Sequence, residues 1–240
     1  MSRVGLAVRR RFDPEQRYGL RVTLLAAAFL IVAIPFAWLV DEVREKSRLV
    51  RFDHTVADRI NDWIHGSGVA VGAAKAVSFL GAPSSVTILV AGVAVFFLVR
   101  RRYRLLAFLL VTTISGAILN SAVKEIVGRA RPVVAHPIAV ASGKSFPSGH
   151  AMGSTVVYGA LLLIALPHLP GRWRPAAVAA AIGLVGLIAV SRLALGVHFV
   201  SDVVGGVLLG SAWLLTATAA FRIWGEDRPT HDPSQEVAGE

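Results

Sequence analysis

The sequence predicts an all-α fold, an integral membrane bundle of six transmembrane helices. Hydrophobic residues make up 55% of the 240 residues and charged residues only 17%, and the mean hydropathy is +0.62. A water-soluble domain of this length needs a larger polar surface. The apolar residues are also gathered in runs of about 20, the length at which a helix crosses a bilayer.

Six apolar runs define the predicted spans. In chain order they are Leu20–Val40, the part of Val69–Val99 that follows Pro83, Leu105–Val123, Gly149–Leu166, Ala176–Leu195 and Val203–Ile223. Pro83 is expected in the first turn of the second span, where its missing N–H costs nothing. The segment before it carries Lys75 and is expected at the membrane interface. The chain thus divides into a tail over residues 1–19, a membrane domain over 20–223 and a polar, disordered tail over 224–240.

Basic residues predict how the spans are oriented in the cell membrane. The N-terminal segment, the loops after the second and fourth spans and the C-terminal tail, counted with Arg21 and Arg222 at the adjoining span ends, together hold 14 of the 25 lysine and arginine residues. Cytoplasmic segments are enriched in these residues. The loop over residues 41–68 instead carries six acidic and five basic residues. Both termini are therefore predicted to be cytoplasmic.

Composition excludes several functions. There are no cysteines, which rules out disulfides and thiolate metal sites. The net charge of +10 could suggest nucleic acid, but the arginines form short clusters between apolar runs, which fits anionic lipid headgroups better. The expected partners are the bilayer and its lipids, with no nucleic acid and no obligate protein partner. Neither a cofactor nor a metal is predicted, because no further carboxylate or histidine cluster has metal-ligand spacing.

Three clusters of ionisable residues lie at the ends of predicted spans. They comprise Lys124 and Arg131 after the third span, Ser148, Gly149 and His150 at the start of the fourth, and Arg192, His198 and Asp202 between the fifth and sixth. Ionisable residues next to the apolar interior of a membrane cost free energy and usually serve a function. The loop between the third and fourth spans and the loop between the fifth and sixth spans lie on the same face of the membrane. All three clusters are therefore predicted to meet on that face, which is the outside.

The first two clusters have the spacing of a phosphate site. Lys124 and Arg131 are seven residues apart, about 10 Å along a helix, so their long side chains can converge on one phosphate. Pro147 suits the first turn of a helix, which leaves the amides of Ser148 and Gly149 without intrahelical partners. Such amides bind anions. The Ser148 hydroxyl can donate as well.

The third cluster contains a histidine–carboxylate pair. His198 and Asp202 are four residues apart and share one helix face. The carboxylate can therefore accept one imidazole N–H and leave the other ring nitrogen with its lone pair directed outward. Gly196 allows the chain to turn between Arg192 and His198.

Together these motifs resemble those of the type 2 phosphatidic acid phosphatase family. The sequence reads Lys-x6-Arg-Pro, Pro-Ser-Gly-His and Ser-Arg-x5-His-x3-Asp between Lys124 and Asp202. The six-span frame extends the resemblance from about Leu20 to Ile223. Vanadate-dependent haloperoxidases share the motif set, but they are soluble, and six apolar spans argue against that class.

The resemblance implies a metal-independent lipid phosphatase and a role for each motif residue. His198 attacks phosphorus and forms a phosphohistidine, Asp202 orients it, and His150 protonates the departing oxygen. The phosphate oxygens are bound by Lys124, Arg131, Ser148, Gly149 and Arg192.

The identity of the substrate stays open at this point. Polyprenyl diphosphate is the preferred substrate, and phosphatidic acid and phosphatidylglycerol phosphate are alternatives. A lipid-phosphate binding or transport protein with a vestigial site is the alternative from another class. Binding alone does not require two histidines and an aspartate.

Other residues have structural interpretations. Lys124, Arg131 and Arg192 could each be an interfacial anchor. Arg129 is expected to contact lipid headgroups or a second phosphate. His54, His65, His136, His168 and His231 lack motif partners.

Overall fold

The computed structural model describes residues 17–45 and 48–226. These ranges form eight α-helices and no β-strand. The helices are α1 (Arg17–Arg44), α2 (Arg48–Ile64), α3 (Gly68–Leu80), α4 (Pro83–Val99), α5 (Tyr103–Val127), α6 (Gly149–Ala165), α7 (Arg174–Ala194) and α8 (Val200–Glu226). Two short 3-10 helices, Leu166–His168 and Gly171–Trp173, join α6 to α7.

Five of the described helices contain a segment long and apolar enough to cross a membrane. These segments are Ala26–Arg44, Tyr103–Val127, Gly149–His168, Gly171–Ala194 and Val200–Phe221. The α3–α4 pair, bent by 40°, makes a sixth span if it is counted as one. The predicted all-helical membrane fold is confirmed, and Pro83 opens α4 as expected.

The ends of the bundle differ from the predicted boundaries. The first helix begins at Arg17 rather than Leu20, and the last ends at Glu226 rather than Ile223. Most of the two predicted tails, residues 1–16 and 227–240, lies outside the described residues. The tail predictions therefore stay predictions.

The segment before α3, predicted as a loop, contains the amphipathic helix α2. Asp53, Ala57, Asn61 and Ile64 are buried. Their spacing of four, four and three residues places them on one helix face. This face packs against α7 and α8. The acidic segment therefore covers one end of the bundle.

Close packing of α6 against α8 positions the predicted site. A Cβ atom on Gly206 would lie 2.6 Å from the carbonyl oxygen of Ser148, and one on Gly210 would lie 3.1 Å from that of Met152. Glycine at such positions lets two helix backbones approach closely. Helices α5 and α7 also pack against α6. The first turn of α6 therefore lies directly beside the second and third turns of α8.

Candidate active site

The buried pair His198 and Asp202 forms the centre of the site. Gly196 adopts the left-handed region, with a φ of +70°, and provides the turn predicted between α7 and His198. His198 is 2% exposed and Asp202 is 0% exposed. The Nδ1 atom of His198 lies 3.4 Å from Oδ2 of Asp202, which is long for a hydrogen bond. The same oxygen accepts hydrogen bonds from the Phe199 amide at 2.8 Å and from the Ser145 hydroxyl.

The neighbours of His198 determine which ring nitrogen holds its proton. Nε2 lies 3.2 Å from Nη1 of Arg131. A guanidinium group can only donate, so Nε2 accepts and the proton is on Nδ1, facing Asp202. This tautomer presents the lone pair needed for nucleophilic attack.

Burial also keeps His198 in its neutral form. Desolvation lowers the pKa of His198 from 6.5 to about 4, although Asp202 acts in the opposite direction. A neutral imidazole can act as a nucleophile, whereas an imidazolium cannot.

The pH dependence of His198 is therefore a direct test. Burial disfavours the protonated imidazole, so we expect His198 to remain neutral from about pH 5 to pH 8 and to titrate near pH 4. The measurement is ¹⁵N NMR of histidine ring nitrogens in detergent, with the signal assigned through a His198→Gln variant. A midpoint above pH 6 would show that burial does not keep the His198 ring neutral.

Arg192 has an unused hydrogen-bond donor in the site. Its side chain is buried, with 8% exposure, and Nη1 donates to the Ser78 hydroxyl at 2.6 Å. Its Nε atom is buried and has no hydrogen-bond partner among the described residues. A buried donor without a partner costs about 1–3 kcal/mol, and more when it is charged. This geometry favours an anion-binding role over a purely structural one.

Two further cations are held by backbone carbonyls. Lys124 Nζ lies 3.0 Å from the carbonyl oxygen of Lys144. Arg131 donates to the carbonyls of Ser142 and Val197, at 3.0 Å and 2.8 Å. In the described part of the chain, no carboxylate lies within salt-bridge distance of Lys124, Arg131 or Arg192. Their positive charge is therefore available to an anion.

The predicted site residues come together as one electrostatic cluster. His150 is half-buried and interacts electrostatically with His198 and with the three cations Lys124, Arg131 and Arg192. Arg131 also interacts with Lys124 and Arg192. The three sequence motifs, which come from different helices, thus meet at one end of the bundle.

The start of α6 differs in part from the prediction. Ser148 is the N-cap, and its hydroxyl accepts a hydrogen bond from the Ala151 amide at 3.4 Å. Its own amide donates to the carbonyl of Asp202 at 2.8 Å, so the prediction that this amide is free for an anion is wrong. Pro147 precedes the N-cap rather than occupying the first turn. The Gly149 amide has no hydrogen bond to another described residue and remains the candidate donor.

Arg129 occupies a place that the sequence did not predict. It donates to Asp202 Oδ1 at 2.7 Å and to Asp53 Oδ2 at 2.8 Å, and its side chain is only 9% exposed. The expectation that it contacts headgroups or a second phosphate is therefore wrong. Asp53 in turn accepts hydrogen bonds from the amide and hydroxyl of Ser201. The buried bridge ties α2 to the carboxylate that faces His198.

Removing Arg129 should destabilise the protein strongly. Arg129→Gln leaves two buried carboxylates without a cation, which costs about 3–5 kcal/mol. We expect a lower thermal unfolding midpoint in detergent, while Arg104→Gln, a change at an exposed arginine, should leave it unchanged. Adding Asp53→Asn to Arg129→Gln should recover part of the loss, since only one unpaired carboxylate then remains. No recovery would mean that the bridge is not the source of the stability.

The fold and the site together define a membrane protein with a buried histidine–aspartate pair beside a cluster of cations at one end of a helical bundle. Residues 104–226 match the model of the PAP2 superfamily. This range is about half of the chain and runs from α5 to α8. The chain therefore belongs to the PAP2 superfamily, as the motifs predicted.

Two bacterial proteins are similar to this chain over part of their length. Phosphatidylglycerophosphatase B of Bacillus subtilis is 36% identical over 138 residues, which cover 56% of this chain and 66% of that protein. Lipid A 1-phosphatase of Rhizobium etli is 32% identical over 122 residues, which cover 47% of this chain and 48% of that protein. The match thus spans less than two thirds of each of these relatives.

A solved structure matches most of the fold. The crystal structure of a transmembrane PAP2-type phosphatidylglycerolphosphate phosphatase from Bacillus subtilis superposes with a TM-score of 0.74 at 25% identity. The superposition covers 85% of this chain and 99% of that one. The likeness thus extends beyond the half of the chain that matches the family model.

Proposed function

We propose that this protein is a membrane lipid phosphatase that works through a phosphohistidine on His198. The observation that supports the proposal most strongly is the protonation state of His198 Nε2. The His198 ring is neutral, and Nε2 holds a lone pair and lies 3.2 Å from Arg131, within a cluster of cations that have no carboxylate within salt-bridge distance among the described residues. A nucleophile beside uncompensated positive charge suits attack on a phosphoryl group.

In the first step, His198 Nε2 attacks phosphorus and the bond from phosphorus to the lipid oxygen breaks. Asp202 stabilises the imidazolium that forms, and His150 gives a proton to the departing lipid oxygen. The fixed charges of Lys124, Arg131 and Arg192 stabilise the equatorial oxygens. The Gly149 amide and the Ser148 hydroxyl add hydrogen bonds to these oxygens.

In the second step, water replaces the imidazole on phosphorus. His150, left deprotonated by the first step, accepts a proton from the attacking water. The products are inorganic phosphate and free His198. Cationic side chains stabilise the negative charge on the phosphate oxygens in both steps, so the chemistry proposed here requires no metal.

The proposed substrate is a lipid whose phosphate lies at headgroup depth. Phosphatidylglycerol phosphate is the first candidate, since it appears in the names of a relative and of the structural neighbour. Polyprenyl diphosphate, preferred from the sequence, and phosphatidic acid remain candidates, because each places a phosphate beside an apolar tail.

Phosphate release from a panel of these lipids by detergent-solubilised protein tests the proposal. We expect release from at least one lipid phosphate by the wild type and none by His198→Ala. Binding of lipid phosphates without any release would instead support a binding or transport protein.

We also propose that both termini are cytoplasmic and that the site faces outward across the cell membrane. The positions of the basic residues support this orientation. Because the chain has no native cysteine, single cysteines can report it. Ser142 and Gly171 are both exposed, the first in the α5–α6 loop and the second in the α6–α7 connection.

In intact cells, a membrane-impermeant thiol reagent should label Ser142→Cys and leave Gly171→Cys unlabelled. Permeabilised cells provide the control, in which both variants should react. The opposite pattern in intact cells would reverse the topology and rule out an outer-leaflet substrate.

A further inference from the structure

We propose a transition-metal site formed by Asp62, His65 and His136, outside the phosphate site. One ligand atom from each residue lies within 4.8 Å of the others, and all three side chains are exposed. Asp62 lies in the last turn of α2 and His65 directly follows the helix, whereas His136 lies in the loop between α5 and α6. His65 and His136 have no partner in a local sequence motif, and the fold brings them together from separate parts of the chain.

The two imidazoles are already arranged as neighbours. Their ring centroids are 3.9 Å apart and their planes differ by 17°. The Nδ1 atom of His65 lies 3.2 Å from the carbonyl oxygen of Asn61. A carbonyl only accepts, so Nδ1 holds the proton and Nε2 keeps its lone pair. Histidines that bind metals are commonly oriented by this kind of hydrogen bond.

Asn61 fixes the two chain segments against each other. Its side chain is fully buried, and it donates to the His136 carbonyl at 2.7 Å while accepting from the His136 amide at 2.9 Å. The backbone beside the cluster is thus fixed before any ion binds. Tetrahedral ligands at 2.0–2.1 Å from zinc are about 3.4 Å apart. The ligand atoms now lie within 4.8 Å of one another, so binding requires the exposed side chains to rotate and close this separation.

The donor set favours a particular class of ion. Two imidazoles and one carboxylate suit Zn²⁺, Co²⁺ or Ni²⁺, whereas Mg²⁺ and Ca²⁺ prefer oxygen ligands alone. Three protein ligands leave a coordination position for water.

The position of the site indicates what the ion does. His136 follows Arg131 in the same loop, and Val134 between them packs with Ala57 of α2 and with Phe199, the neighbour of His198. An ion bound by α2 and by this loop would restrain the segment that carries Arg131. We infer a structural clamp on the α5–α6 loop, separate from the phosphohistidine chemistry.

Calorimetry with zinc and absorption with cobalt test the site directly. The protein must carry no polyhistidine tag and must first be stripped with EDTA. We expect one equivalent of Zn²⁺ to bind and Mg²⁺ not to compete. His65→Gln and His136→Gln should each weaken binding by about tenfold or more. Binding that is absent in the wild type, or unchanged in both variants, would overturn the proposal.

His168 provides a matched control for the histidine substitutions. It is also exposed, and its Nδ1 atom lies 3.1 Å from the carbonyl of Ile164, four residues earlier, as in His65. It is not part of the metal-ligand cluster. His168→Gln should therefore leave zinc affinity unchanged. An equal loss of affinity in this variant would also overturn the assignment.

Hydrogen exchange provides a second readout that does not depend on activity. Zn²⁺ should slow amide exchange in residues 132–141 of the wild type and leave His136→Gln unaffected. Equal exchange with and without bound zinc in the wild type would contradict the clamp.

Discussion

His198→Ala should lower lipid phosphate hydrolysis by about 10⁴-fold or more, because the covalent route is lost. Nε2 of His198 is the proposed attacking atom, and alanine supplies no group in its place. Asp202→Asn should be less severe but still large, since the carboxylate orients the imidazole and stabilises its charge rather than attacking phosphorus. The measurement is the initial rate of phosphate release per folded protein, on the most active lipid of the panel.

The control for this result is a histidine outside the site. His168→Ala removes an exposed imidazole from the 3-10 helix that follows α6 and should leave the rate unchanged. A His198→Ala variant that folds normally and keeps a substantial fraction of wild-type turnover would show that His198 is not the nucleophile.

His150→Ala should separate protonation of the leaving group from nucleophilic attack. A lipid alkoxide is a poor leaving group and needs a proton as its bond to phosphorus breaks, whereas nitrophenolate leaves readily without one. We therefore expect a loss of about 10²–10⁴-fold with a lipid monophosphate. The loss should be far smaller with p-nitrophenyl phosphate, while His198→Ala should abolish reaction with both substrates.

The comparison must use the step that forms the phosphoenzyme. Slow hydrolysis of the phosphohistidine could otherwise mask the difference between the substrates. Rapid mixing and acid-free quenching, followed by measurement of protein-bound phosphate, isolates that step. Equal losses for both substrates in His150→Ala would remove the general-acid role and leave His150 as a phosphate-binding residue.

Local sequence patterns predicted the fold because its main determinants are local. The length of an apolar run decides whether it can span a bilayer, and the number of spans decides which loops share a face. The motif residues lie at span ends, so Lys124, His150 and His198 could be assigned to one face without knowledge of helix packing. The fold class and the family are confirmed, whereas the catalytic roles, the orientation and the substrate remain predictions.

Contacts between separate segments could not be predicted in this way. The partners of Arg129 are Asp53 on α2 and Asp202 on α8, and no spacing in the sequence relates either carboxylate to this arginine. Its position at a helix start shows only that the amide of Ser148 lacks an intrahelical partner. Its acceptor is the carbonyl of Asp202 in α8. In both cases tertiary packing, rather than the helix period, determines the hydrogen bond.

Trapping the phosphoenzyme tests the central claim most directly. Wild-type protein is mixed with substrate, quenched without acid, digested and analysed by mass spectrometry, with ³¹P NMR to assign the phosphorylated nitrogen. The account predicts one acid-labile, alkali-stable phosphate on Nε2 of His198. The rate at which it forms should be at least as high as kcat. Phosphate on another residue, or turnover with no phosphoprotein in any quench, would contradict it.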